Sequence, residues 1–140
     1  MPIEDDYLVN IMQQNIYAHE KDNYGHAYII IKEFTPNIYS KKQKEMLMEF
    51  IIDVVKKSLV FSQKYDKKTS YVHLYLTNCN RKNFNLSWFK KVNHTLTNTF
   101  EDTLESLYLY SDSNLFSNLW KLVKNFIDKE TREKIVLIKC

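Results

Sequence analysis

The stretch 100–138, FEDTLESLYLYSDSNLFSNLWKLVKNFIDKETREKIVLI, reads as strand, helix, strand. Leu104 to Tyr110 is rich in Leu and Tyr and predicts a strand. Asp112 or Ser113 then offers a side-chain cap for a helix over 114–127. Asp128 to Glu133 reads as a short turn, and Ile135 to Ile138 as a last strand. A strand, a crossover helix and a second strand form the unit from which parallel sheets are built.

The helix in this stretch has an unusually wide apolar face. At roughly 100° per residue, Leu115, Leu119, Leu122 and Phe126 form one stripe. Phe116, Trp120, Val123 and Ile127 form a second beside it, leaving Ser117, Asn118, Lys121, Lys124 and Asn125 for water. A helix packed on a sheet needs one stripe, so the second requires another apolar surface. A neighbouring helix, above all one at the start of the chain, a bound lipid chain or a partner protein would each supply it.

Upstream, the same alternation continues. Ile3, Tyr7, Leu8, Ile11, Met12 and Ile16 recur at helical spacing and predict a helix over 4–18. Lys21 to Gly25 holds the one glycine and marks a turn. His26 to Phe34 reads as a strand, and the unbroken Ile29, Ile30, Ile31 suits a strand covered on both faces. Thr35, Pro36 and Asn37 break it. Lys41 to Phe61 places Leu47, Phe50, Ile51, Val54, Ser58 and Phe61 on one helical face. Tyr71 to Thr77 alternates, Val72, Leu74 and Leu76 against Tyr71, His73 and Tyr75. Asn78 to Asn85 reads as an exposed polar loop, and Leu86, Phe89, Val92, Leu96 and Phe100 as a further amphipathic helix. The predicted architecture is α/β: one domain over 1–140 with a mostly parallel sheet of four to five strands and flanking helices.

Composition narrows the function classes. The 140 residues are 44% hydrophobic and 26% charged, with a net charge of +3, ordinary for a globular domain. That charge is too diffuse for a nucleic-acid binder, which carries a concentrated basic stripe. The lysines between Lys41 and Lys68 read as a solvated face, with contact to an anionic membrane surface as the alternative. The Lys and Asn content, with one Gly and two Pro, fits an AT-rich genome. Cys79 and Cys140 form neither a disulfide framework nor a metal motif. No apolar run approaches the ~20 residues of a membrane span, and the acidic start is unlike a signal peptide. The sequons at Asn85 and Asn93 then read as incidental, and the cytoplasm is the expected location.

Catalytic constellations are missing from the pattern. His19, His26, His73 and His94 lack metal-ligand spacing, and His73 reads as a polar-face residue. A Gly-rich phosphate loop is impossible with one glycine. Cys79 lies near Arg81 and Lys82, which would lower its pKa, but no nucleophile motif surrounds it. The expectation is a protein that is not an enzyme and needs no cofactor and no metal.

The run Phe100-Glu101-Asp102-Thr103-Leu104, then Leu107-Tyr108-Leu109, Phe116-x3-Trp120 and Phe126-Ile127-Asp128-x2-Thr131-x2-Lys134-Ile135, resembles CRAL-TRIO domains. That family includes yeast-type phosphatidylinositol transfer proteins and retinaldehyde- and tocopherol-binding proteins. Asp22-x2-Gly25-His26-Ala27-Tyr28-Ile29 resembles the family's strand entry, so the likeness spans about 22–139. The resemblance implies a lipid-binding or lipid-sensing domain, with the 114–127 helix as gate to an apolar pocket. Phe116, Leu119, Trp120 and Val123 are then candidate pocket or gate residues. Asp102, Thr131 and Lys134 match positions that contact an inositol-lipid headgroup, where a lysine pairs with phosphate and a carboxylate and hydroxyl bond to inositol.

Departures accompany the likeness. Glu101 stands where the family has proline, Asp102 where it has glutamate, and Ser111-Asp112-Ser113 where it has Asn-Ala-Pro. The family's N-terminal helical lobe has no counterpart, which implies a short form. Such a form also resembles the compact modules beside GTPase-activating domains. The alternative to a phospholipid or other apolar ligand, with transient membrane contact, is therefore a protein-interaction module or homodimer. It would act with a small GTPase or its regulator, and Phe116 or Trp120 would pack at the interface.

Overall fold

In the computed structural model, residues 3–112, 120–121, 124–125 and 127–139 are described, Arg81 by its backbone alone. Helix α1 (Asp5–Asn15) buries Leu8, Ile11, Met12 and Asn15, one face at three- and four-residue spacing. Asp5 and Asp6 in its first turn suit the positive end of the helix dipole. The helix is shorter than the predicted 4–18. From Ile16 the chain becomes strand β1 (Ile16–Lys21), paired antiparallel with β2 (Tyr24–Ile30).

The hairpin corrects the reading of Gly25. Asp22 and Asn23 make the turn with φ of 54° and 69°, the two positive values that a tight two-residue hairpin needs. Gly25 already lies in β2 and serves a different purpose. A Cβ there would overlap the backbone carbonyl of Ser58, so its lack of a side chain lets helix α2 (Lys41–Gln63) press directly on the strand. The contact is sealed by the Gly25 N–H donating to the Ser62 hydroxyl at 2.7 Å. Ser58 and Ser62 are fully buried because only small side chains fit this approach. The N-terminus of α2 is closed by a capping box of Ser40 and Gln43.

Strands β3 (Ser70–Tyr75), β4 (Leu104–Ser111) and β5 (Ile135–Lys139) follow in parallel, giving the order β1-β2-β3-β4-β5. Helix α2 and helix α3 (Leu86–Thr99) are the crossovers before β3 and β4. All the helices described above lie on one face. Their buried residues join one core with Ile16, Ala27, Ile29, Leu74 and Leu109 of the sheet. The register aligns Ala27, Val72, Leu107 and Ile135 in one row of that face.

The opposite face carries a different population. Tyr17, Tyr28, His73 and Tyr108 are register partners across four strands. Their rings stack at centroid distances of 5.2, 4.5 and 5.0 Å. The expectation that β2 is covered on both faces is not met by the described residues: none of these tyrosines joins the core cluster. Two smaller expectations change as well. Asn83, in the loop predicted as exposed, is buried and donates to the carbonyls of Lys32 and Phe34. Lys129–Glu133, predicted as turn, is a short helix α4 capped by Asp128. The predicted 114–127 helix lies largely outside the described residues; Trp120 and Lys121 within it are helical. Asp112, a candidate cap for that helix, accepts from the Asn78 N–H at 3.1 Å.

Candidate functional site

Between the helix-bearing face of the sheet and α3 lies a cavity of about 320 Å³. Its floor is the alternating apolar set of the strands, with Ile29, Val72, Leu74 and Leu107. Helix α2 supplies Ile51 and Val55, and α3 contributes Trp88, Phe89, Val92 and Leu96. The α3 residues line the space instead of filling it. The Trp88 indole N–H donates to the Lys44 carbonyl at 3.2 Å, tying the ring to α2. At roughly 300–1,000 Å³, ligand sites span this size at their lower end.

The mouth is polar and is built from two chain segments. The first is the turn ending α3, where the Thr103 hydroxyl donates to the Phe100 carbonyl at 2.7 Å. Asp102 takes a left-handed φ of 58° there, a conformation that Asp tolerates better than most residues. The second is α4. Asp128 caps it by accepting from the Thr131 N–H at 3.4 Å, and the Lys134 carbonyl accepts from the Leu107 N–H at 2.9 Å, fastening the helix to β4. Lys134 Nζ lies 3.6 Å from Glu130.

Three site residues expected from sequence therefore converge: Asp102, Thr131 and Lys134 all line this cavity. Asp128 is met by the Thr131 backbone N–H, and among the described residues the Thr131 hydroxyl has no hydrogen-bond partner. Phe116, Leu119 and Val123 lie outside the described residues. Trp120 is half-buried and is not among the described lining residues. Sequence reasoning assigned the pocket wall to 114–127 and overlooked Trp88, Phe89, Val92 and Leu96. The signal was present, since Trp88 stands beside the Phe89–Val92–Leu96 stripe and widens its apolar face in the same way.

A second group of polar side chains sits on the other face of the sheet. His26 Nε2 faces the Lys21 carbonyl at 3.2 Å, an acceptor, so this nitrogen carries the proton. His26 Nδ1 then accepts from His73 Nε2–H at 2.9 Å. His73 Nδ1 accepts from the Tyr110 hydroxyl at 2.8 Å. Both rings are buried, against the reading of His73 as an ordinary polar-face residue. Burial lowers both pKa values; His73, further opposed by the charge of His26 and Lys21, is held at about 4. Cys79 also departs from expectation: burial, reinforced by Asp112, pushes its thiol up to about 11, so it is not an activated thiolate.

The basic run predicted as a solvated face is partly engaged. Lys42 pairs with Asp5 and Lys64 with Glu20, while Lys67 lies over the Tyr24 ring. Among the described residues no helix is long and apolar enough to cross a membrane, and no His, Cys, Asp or Glu cluster is arranged to hold a metal.

The family model described as the CRAL/TRIO domain matches residues 11–140. The match thus begins within α1 and takes in β1, both upstream of the block that carried the likeness in sequence. Among solved structures, "Crystal structure of Sfh5" is similar, with a TM-score of 0.68 at 17% identity. The similarity covers 91% of this chain and 48% of that one, so the chain spans about half of that protein's length. No curated protein matches the chain by sequence.

Proposed function

The chain belongs to the CRAL/TRIO domain family, and from that premise we propose that it holds an amphipathic lipid in the cavity between α3 and the sheet. The carrying observation is the pairing of a largely apolar interior with a polar mouth. Ile29, Val72, Leu107 and Leu96 receive the apolar part, while Asp102, Thr131 and Lys134 stand where a head group emerges. Burying apolar ligand surface drives association at roughly 25 cal/mol per Å² before ordering costs. The mouth sets orientation, through the Thr131 hydroxyl and the carboxylates. The 114–127 segment, with its double apolar stripe, is suited to close over the bound chain as a gate, and transfer of an inositol phospholipid is the activity implied by the family likeness. The reading is one of binding, with no chemical step assigned to any residue. A protein-interaction module or homodimer would leave an apolar cavity of this size without a purpose.

Native mass spectrometry and an organic extract of the purified protein test the proposal. A co-purifying amphiphile is expected, and Leu96→Trp, which fills the cavity from α3, is expected to lose it while keeping a cooperative melt. No ligand mass, together with no uptake of an apolar dye by the wild type, would sink the reading.

A further inference from the structure

The charge at the cavity mouth narrows the ligand class beyond a lipid in general. Four carboxylates line the cavity, Glu101, Asp102, Asp128 and Glu130, against the single ammonium of Lys134; four against one leave a formal −3. The one cation is already engaged, 3.6 Å from Glu130 in its own helix. Asp128 is occupied in capping that helix. Glu101 and Asp102 are exposed, and among the described residues their carboxylates have no ion pair or hydrogen bond.

Lys129 and Arg132 of α4 are exposed and do not line the cavity, so Lys134 is the one cation among the described lining residues. The residues outside the described set contain no Lys, Arg, Asp or Glu. Arg81 lies in the loop after β3, at the far end of the parallel strands from the turn ending α3. Lys67 is turned over Tyr24, and Lys68 is not among the lining residues. An acidic patch alone would indicate only solvated carboxylates. Here it rims an apolar cavity, so whatever enters must place its polar end among those charges.

We infer that the cavity takes an amine-headed amphiphile, a long-chain cationic amine, in preference to a carboxylate- or phosphate-headed one. An ammonium gains charge-assisted hydrogen bonds to Glu101 and Asp102 and reaches the Thr131 hydroxyl. An anionic head meets like charge on both sides of the mouth, with Lys134 withheld by Glu130. Volume agrees: about 320 Å³ is near the floor of the usual range and suits one apolar chain better than two. This inference rests on the lipid-binding reading and replaces its anionic head group.

Displacement of the neutral dye Nile red from the full chain separates the possibilities. Dodecylamine, dodecanol and dodecanoate share one tail and differ only in head charge; each is used below its micellar concentration at low salt. The amine is expected to displace dye about tenfold more tightly than the carboxylate, with the alcohol between, and the spread narrows as salt is added. A Glu101→Gln/Asp102→Asn variant, changed only at exposed positions, is expected to bring amine and alcohol together. The inference is overturned if the carboxylate binds as tightly as the amine, if the alcohol equals the amine in the wild type, or if the variant preserves the order. Displacement by all three without head preference overturns this inference alone. Failure of the dye and all three tails to bind removes the lipid-binding reading itself.

Discussion

The two faces of the sheet are made from the same strands and obey different rules. In β3, Val72 and Leu74 face the helices while Tyr71, His73 and Tyr75 face away; β4 repeats this with Leu107 and Leu109 against Tyr108 and Tyr110. On the helix-bearing face the side chains are aliphatic, and their packing is interrupted by the cavity at α3. On the other face the rings stand upright and stack against one another between strands, Tyr75 and Tyr110 with centroids 4.2 Å apart and planes within 5°. Because the π faces are spent on each other, that surface presents hydroxyls and ring edges. One face therefore gains stability from exclusion of water, and the other from ring-to-ring contact at its boundary with water. Among the described residues the cavity lies on the first face, where α2 and α3 stand over the aliphatic side chains.

The largest expected effect tests how tightly the helix-bearing face is closed. Gly25→Ala drives a methyl into the Ser58 carbonyl, which is backbone and cannot turn aside. The loss is expected to be about 3 kcal/mol or more, a fall in Tm of the order of 10 °C for a chain of this size. A thermal melt followed by circular dichroism measures it. A wild-type melt would mean that α2 does not press on β2 as described, and the contrast between the faces would lose its basis.

Gly25 also shows where sequence reasoning reaches its limit. A lone glycine in a polar stretch signals a turn, yet Asp22 and Asn23 supply the positive φ values, and the glycine answers to a helix 33 to 37 residues away. Helices α2 and α3 and strands β3, β4 and β5 were legible because their apolar periods are unbroken. Strand β1 was not, since Ile16 continues the helical phase of Ile11 and Met12. Ile29, Ile30 and Ile31 suggested cover on both sides, whereas the register sends Ile30 to the aromatic face beside Tyr75. At the site, the mouth was legible through the family pattern, which marks Asp102, Thr131 and Lys134 despite their separation in the chain. The cavity behind it was not. A void depends on how α3 sits against the sheet and α2, a long-range arrangement, including the Trp88 contact to α2, that no local pattern records.

The next effect sharpens the comparison on the aromatic face, where the buried polar groups are histidines. His73 has its pKa lowered from 6.5 to about 4, and that of His26 is lowered as well. Above pH 6.5 both folded and unfolded chains hold neutral rings, and the contribution to stability is complete. As pH falls from 6.5 towards about 4, the unfolded His73 takes a proton that the folded one refuses. Stability then drops by up to about 1.4 kcal/mol per pH unit from this residue, with His26 adding in the same direction. Urea midpoints followed from about pH 7.5 to about pH 4.5 measure the slope. His73→Gln keeps a donor towards His26 and an acceptor towards Tyr110 but cannot titrate, so its slope is expected to be shallower. Carboxylates common to both proteins cancel in the difference. Parallel curves would show that the pair titrates freely and that this face is wetter than its ring packing implies.

The smallest effect comes from the rings themselves. Tyr75→Leu removes one member of the closest stacked pair while leaving an apolar residue of good strand propensity. Aromatic pairs contribute roughly 0.5–1.5 kcal/mol beyond area, so a loss of about 1 kcal/mol is expected in chemical denaturation. Tyr75 touches neither the cavity nor its mouth, so dye binding should be unchanged. The two readouts together decide how independent the faces are. A small stability loss with unaltered binding is what a boundary layer of stacked rings predicts, since neighbouring rows keep their own partners at 4.5 to 5.2 Å. A loss approaching that of Gly25→Ala, or weakened dye binding, would instead show the ladder to be a single cooperative element that sets the curvature of the sheet and, through it, the volume beneath α3.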